Sequence, residues 1–127
     1  MAYRNENVNP AKNLVGDCVV RAVALACGLS WDDALDGLTE MAHHIKDMPN
    51  ANNVWGAFLK SMGFVRYSIP NTCPDCYTIR DFSEDHPNGV YVLGTGSHAV
   101  ACINGTYMDS WDSGDETVLF YYKEVDL

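Results

Sequence analysis

The sequence predicts a single α+β domain, on three observations. The chain has 127 residues, 47% of them hydrophobic and 20% charged, which suits one compact unit over residues 1–127 with one core. Its first half carries apolar residues at helical spacing between glycine and proline breaks. Its second half alternates apolar and polar residues between Gly, Asn and Asp turn signals, so helices and strands are segregated along the chain.

A first helix is expected from Asp17 or Cys18 through VVRAVALAC, with Gly16 before it and Gly28 as its stop. Valine and alanine crowd its faces, so it belongs at the centre of the fold. Ser30 has the chemistry of an N-cap, with Asp33 in the capping-box position, for a second helix over about Trp31 to Ile45. Trp31, Ala34, Leu35, Leu38 and Met41 share one face of it. MPNANN breaks that helix, and a third covers about Val54 to Met62 before Gly63. Phe64 to Ile69 reads as a strand stopped by Pro70, and Thr78 can cap the short helix IRDFSED. GVYVLGT, HAVACI, TYMDSW and VLFYYKEV then read as strands. Asn104-Gly105, between two of them, favours a two-residue type I′ hairpin turn.

Eight basic residues against 17 acidic ones give a formal charge of −9. That balance disfavours nucleic-acid phosphate and anionic membranes as partners. No apolar run approaches the ~18 residues that span a bilayer. The polar start MAYRNENVNPAKN has no signal-peptide core, so a soluble cytoplasmic protein is expected. Five cysteines, an odd number, then point to free thiols in a reducing compartment and not to a disulfide framework. Cys27 and Cys102 lie in apolar stretches and are expected in the core.

Cys18 stands where a glycine turn hands over to a helix. Partial positive charge and unpaired N–H groups at a helix start favour a thiolate and can donate to an oxyanion. His98 follows Gly94-Thr95-Gly96-Ser97 and opens the strand HAVACI. A two-residue turn at Asn104-Gly105 pairs Ile103 with Thr106, and counting outward sets Val100 across from Asp109 and His98 across from Trp111. With side chains alternating, His98 shares a face with Asp109 and Trp111, while Asp112 points the other way. The register therefore selects Asp109 to orient the histidine, and Trp111 can shield their hydrogen bond from water. Nucleophile, base and orienting carboxylate are the parts of a triad, Cys18, His98 and Asp109. The spacing alone does not bring Cys18 to His98.

Gly16-Asp17-Cys18-Val19-Val20-Arg21-Ala22 resembles the nucleophile segment of small papain-like cysteine peptidases of bacteria and phages. Ser97-His98-Ala99-Val100-Ala101 resembles their histidine strand, and Asp109-Ser110-Trp111 is similar to the Asn-Ser-Trp of papain. The order Cys, His, Asp is also that of the bacteriocin-processing double-glycine peptidases. The resemblance runs from about Gly16 to the last strand. It implies a papain-like fold, with N-terminal helices packed on a C-terminal antiparallel sheet. It also implies a peptidase or isopeptidase that acts on a peptide or protein through an acyl-enzyme thioester. Two features depart from papain. The residues around Cys18 differ from Cys-Gly-Ser-Cys-Trp, and the Gln that papain uses at its oxyanion hole is missing, since the chain contains no Gln. Asn13 is the nearest amide that could replace it, with Asn9 further back and the Cys18 backbone N–H as the other donor.

Cys73-Pro74-Asp75-Cys76 could form half of a zinc site, but no second ligand pair exists at suitable spacing, and no metal or other cofactor is expected. Arg21, one turn after Cys18, is expected to pair with Asp17 or another carboxylate, with a substrate role as the alternative. His43-His44 should be solvated, and of Tyr121 and Tyr122 one should pack and one face water. The same triad could also transfer the acyl group to an amine. A catalytically silent papain-like module that binds peptides is the alternative to an enzyme.

Overall fold

A computed structural model describes residues 3–125. It contains four helices and six strands: β1 (Tyr3–Asn5), α1 (Cys18–Cys27), α2 (Trp31–Ile45), α3 (Asn52–Ser61), β2 (Phe64–Ser68), α4 (Ile79–Asp85), β3 (Val90–Gly94), β4 (Ala99–Ile103), β5 (Thr106–Asp109) and β6 (Phe120–Glu124). One mixed sheet runs in the order β1-β5-β4-β3-β6-β2.

The helix signals act as their chemistry dictates. Gly28 closes α1 in the left-handed conformation, φ 66°, and its N–H returns to the Ala24 carbonyl. Ser30 Oγ accepts the Asp33 N–H at the start of α2. Thr78 and Asp81 form a complete capping box on α4. On α2 the buried face consists of Ala34, Leu38 and Ala42. Helix α3 begins at Asn52, two residues before the expected Val54.

Alternation along the strands divides the core between the two faces of the sheet. Val92, Ala99, Phe120 and Tyr122 pack with α1, Ala34 and Leu38 of α2, and Trp55 and Leu59 of α3. Tyr91, Leu93, Val100, Cys102 and Tyr107 pack with Ile79 and Phe82 of α4 and with Val118. Tyr122 is buried, while Tyr121 is half-buried and stacks on Tyr67. His43 and His44 are exposed.

Three expectations need correction. The sheet is not wholly antiparallel, because β1 pairs in parallel with β5, Tyr3 opposite Tyr107 and Asn5 opposite Asp109. The segment Tyr3–Asn5, YRN, is too short and polar to announce a strand, and its pairing depends on an edge supplied a hundred residues later. Secondly, Cys73 and Cys76 are joined in a disulfide. Their Cα atoms lie 4.2 Å apart in one loop, so the bridge is a local staple that needs no wider framework, and it removes the cysteine-based argument for a reducing compartment. Lastly, Cys27 is half-buried against the core, although Cys102 is fully buried. Among the described residues no helix is long and apolar enough to cross a membrane.

Candidate active site

The hairpin forms as the Asn-Gly signal requires. Asn104 and Gly105 both take positive φ, 49° and 80°, and Ile103, Cys102 and Ala101 face Thr106, Tyr107 and Met108. The ladder stops there, so the further rungs expected from the register, up to His98 opposite Trp111, are not made. Strand β5 ends at Asp109, whose own Oδ1 accepts the Ser110 N–H at 2.8 Å. His98 thus sits one residue before β4, and Asp109 is the last residue of β5, at the same end of the sheet. Helix α1 packs across β3, β4 and β5 and brings Cys18, its first residue, to that end.

Asp109 is 1% exposed and spends all its acceptor capacity. Oδ2 accepts from His98 Nε2 at 2.6 Å and from Ser113 Oγ at 2.7 Å. Oδ1 accepts from Arg21 Nη1 at 2.8 Å as well as from Ser110. Burial alone would raise its pKa, but the bonds from His98, Arg21 and Ser113 outweigh that and hold the carboxyl below its ordinary range. With Nε2 committed to Asp109, the other ring nitrogen, Nδ1, is left for Cys18, which lines the same cleft as His98, and each group shifts the other's titration.

Desolvation pulls the His98 pKa down. The bonds to Asp109 and then Cys18 overcome it and push the value up to about 9. Desolvation likewise pushes the Cys18 thiol up, but the bond to His98, a contact with the Ala99 backbone and the charges of His98 and Arg21 bring it below the ordinary value. The two shifts have opposite sign, and each favours the charged form of its group, thiolate at Cys18 and imidazolium at His98.

Asp17 occupies the N-cap of α1 yet makes no capping bond. Its carboxylate turns instead to Arg21 Nε at 2.9 Å, Trp31 Nε1 at 3.0 Å and Asn9 Nδ2 at 3.1 Å. The first N–H groups of α1 are therefore not taken by the cap, which leaves that of Cys18 available to an oxyanion. Arg21, 6% exposed, spans from Asp17 to Asp109 and so ties the nucleophile's helix to the strand that orients the histidine. Arg21 thus pairs with Asp17, the carboxylate named from the sequence, and also with a second one, Asp109.

Trp111 lies against the His98 ring, centroids 5.1 Å apart, and is itself 47% exposed, so it covers the imidazole from the solvent side. Asp112 takes the Tyr107 hydroxyl and lies near Arg80, away from His98. Asn13 is exposed in the loop before α1 and is not among the residues that line the cleft at Cys18. That cleft is lined by Gly16, Cys18, His98, Asn50, Asn52 and Trp55, among others. Residue patterns did not single out Asn52, and offered Asn9 only as an amide behind Asn13; Asn9 is buried, donates to Asp17 and does not line the cleft. An amide in a loop looks the same whether or not a distant indole or carboxylate meets it. A larger concavity beside His43, Lys46 and Met48, at the end of α2, holds none of these groups.

Among the described residues no group of three or more His, Cys, Asp and Glu side chains is placed to hold a metal ion. Comparison with protein-family models, curated proteins and solved structures finds no match, so the reading of the site stands on its geometry.

Proposed function

We propose that this chain is a cysteine hydrolase of papain-like architecture that cleaves amide or isopeptide bonds in a peptide or protein. One observation carries the reading: a thiol at a helix start shares one cleft with an imidazole whose Nε2 is held by a buried, fully bonded carboxylate.

The Cys18 thiolate attacks the carbonyl carbon, and the developing oxyanion takes the Cys18 N–H. The His98 imidazolium gives a proton to the leaving amine as the C–N bond breaks, leaving an acyl thioester on Cys18. The neutral imidazole then takes a proton from the water that attacks the thioester; the C–S bond breaks, the carboxylic acid leaves, and the thiolate and imidazolium are restored. Asp109 keeps Nε2 protonated throughout and so presents Nδ1 to the reaction. Resemblance of the Gly16–Ala22 and Ser97–Ala101 segments to papain-like peptidases supports an amide substrate in particular.

The test is turnover of p-nitrophenyl acetate. A burst of p-nitrophenolate with one acetyl group mapped to Cys18, absent in Cys18→Ala, is the expected result. No acetyl-Cys18, with hydrolysis equal in the wild type and Cys18→Ala, would overturn the proposal in favour of a silent binding module.

A further inference from the structure

The acyl part of a substrate stays bonded to Cys18 through the thioester, so the cleft that opens at the thiol is the place that receives it. Its volume is about 140 Å³. At ~30 Å³ per water that is room for roughly five waters, or a short stretch of peptide with small side chains.

Two of its glycines are not required by the fold. Neither Gly16 nor Gly96 has a positive φ, and a Cβ at either would meet nothing within 4 Å. At Gly94, by contrast, a Cβ would strike the Phe120 ring at 2.2 Å. The bareness of Gly16 and Gly96 therefore acts on the cleft, which both line and which it keeps open. Apart from Cys18 and His98 the lining is uncharged, in a chain of net charge −9.

Asn52 supplies the directional group. Trp55 is 1% exposed, stacked on Phe120 and packed at a tilt against Tyr122, so its indole is fixed. Its Nε1 donates to Asn52 Oδ1 at 3.0 Å. An indole only donates, so the amide oxygen must face Trp55 and the amide NH2 must face away. Asn52 is exposed and Trp55 lines the same cleft, so the outward NH2 is offered to whatever enters it.

We infer that Asn52, oriented by Trp55, is a substrate-recognition residue whose side-chain N–H donates to a carbonyl of the acyl half of a peptide substrate, in a cleft that admits small uncharged residues between Gly16 and Gly96. This rests on the reading of Cys18 as the nucleophile. It adds a determinant outside the triad.

The experiment compares Cys18 alkylation by acetyl-alanyl-alanyl chloromethyl ketone with alkylation by iodoacetamide, each divided by its rate with glutathione. Asn52→Asp keeps the acceptor for Trp55 and removes the donor, whereas Asn52→Ala removes both. The wild type should prefer the peptide reagent. Both variants should lower that preference about three- to tenfold, the worth of one neutral hydrogen bond. Gly96→Val should lower it too, by filling the cleft. An undiminished preference in both Asn52 variants, or a wild type with no preference, would overturn the inference while leaving Cys18 reactive. If iodoacetamide labels Cys18 no faster than Cys27, the catalytic reading falls and this inference with it.

Discussion

Arg21→Met removes the cation that two buried carboxylates share. Asp17 and Asp109 keep their other partners, but each loses a charged hydrogen bond, at 2.9 Å and 2.8 Å respectively. Their side chains are 6% and 1% exposed, so water does not replace the guanidinium. Removing one partner of a buried ion pair costs about 3–5 kcal/mol. Against a total of about 5–15 kcal/mol this is a large fraction. With a urea slope of about 2 kcal/mol/M, the unfolding midpoint should fall by about 2 M.

The pH dependence separates this cost from lost packing of the arginine stem. In the wild type both carboxyls titrate below 3.8, because their hydrogen bonds outweigh the penalty of burial. Their contribution is fully present above 3.8 and is lost as pH falls through the lowered folded values. In Arg21→Met both values rise from those of the wild type, because one of the bonds that offset burial is gone, so acidification costs the variant less than the wild type. The gap between wild type and variant should therefore be widest near neutrality and narrow as pH falls below 3.8. A gap below about 1 kcal/mol, or one constant with pH, would refute the electrostatic account of this residue.

Three further outcomes follow from particular contacts. Asp109→Ala should cost far more activity than Asp112→Ala, since Asp109 holds His98 and Asp112 holds the Tyr107 hydroxyl; the reverse order in turnover would mean that the wrong carboxylate has been assigned. Gly94→Ala should destabilise the fold by about 1–3 kcal/mol in urea, because the added Cβ meets three Phe120 ring atoms at 2.2–2.6 Å, and an unchanged midpoint would contradict that packing. Thiol titration of the unfolded, unreduced protein should find three thiols, rising to five after reduction; five before reduction would exclude the Cys73–Cys76 bridge.

Local chemistry made much of this legible in the sequence. Gly28, Ser30 and Thr78 mark helix ends because each satisfies or permits a backbone conformation that its neighbours cannot. Asn104-Gly105 sets the β4–β5 register, and that register is enough to favour Asp109 over Asp112. What stayed hidden depends on long-range meetings. Strand β1 exists only because β5 leaves an edge open to it. Arg21 could be matched with Asp17, four residues before it on the same helix, but Asp109 lies 88 residues away. Asn9 and Asn52 become informative only once Asp17 and Trp55 are seen to fix their amides. The outer rungs of the hairpin were expected from an ideal ladder, and the Asp109 carboxylate that draws the Ser110 N–H ends it early.

The central claim is that Cys18 and His98 form one titrating unit. It is tested most directly by the rate of Cys18 alkylation by iodoacetamide against pH, in the wild type and in His98→Ala. In the wild type alkylation should stay fast well below pH 9, the ordinary thiol value. It should also respond to a second ionisation near pH 9, where the imidazolium loses its proton. In His98→Ala the profile should move up toward the ordinary value and lose the second ionisation. One ordinary thiol titration, the same in both proteins, would contradict the account.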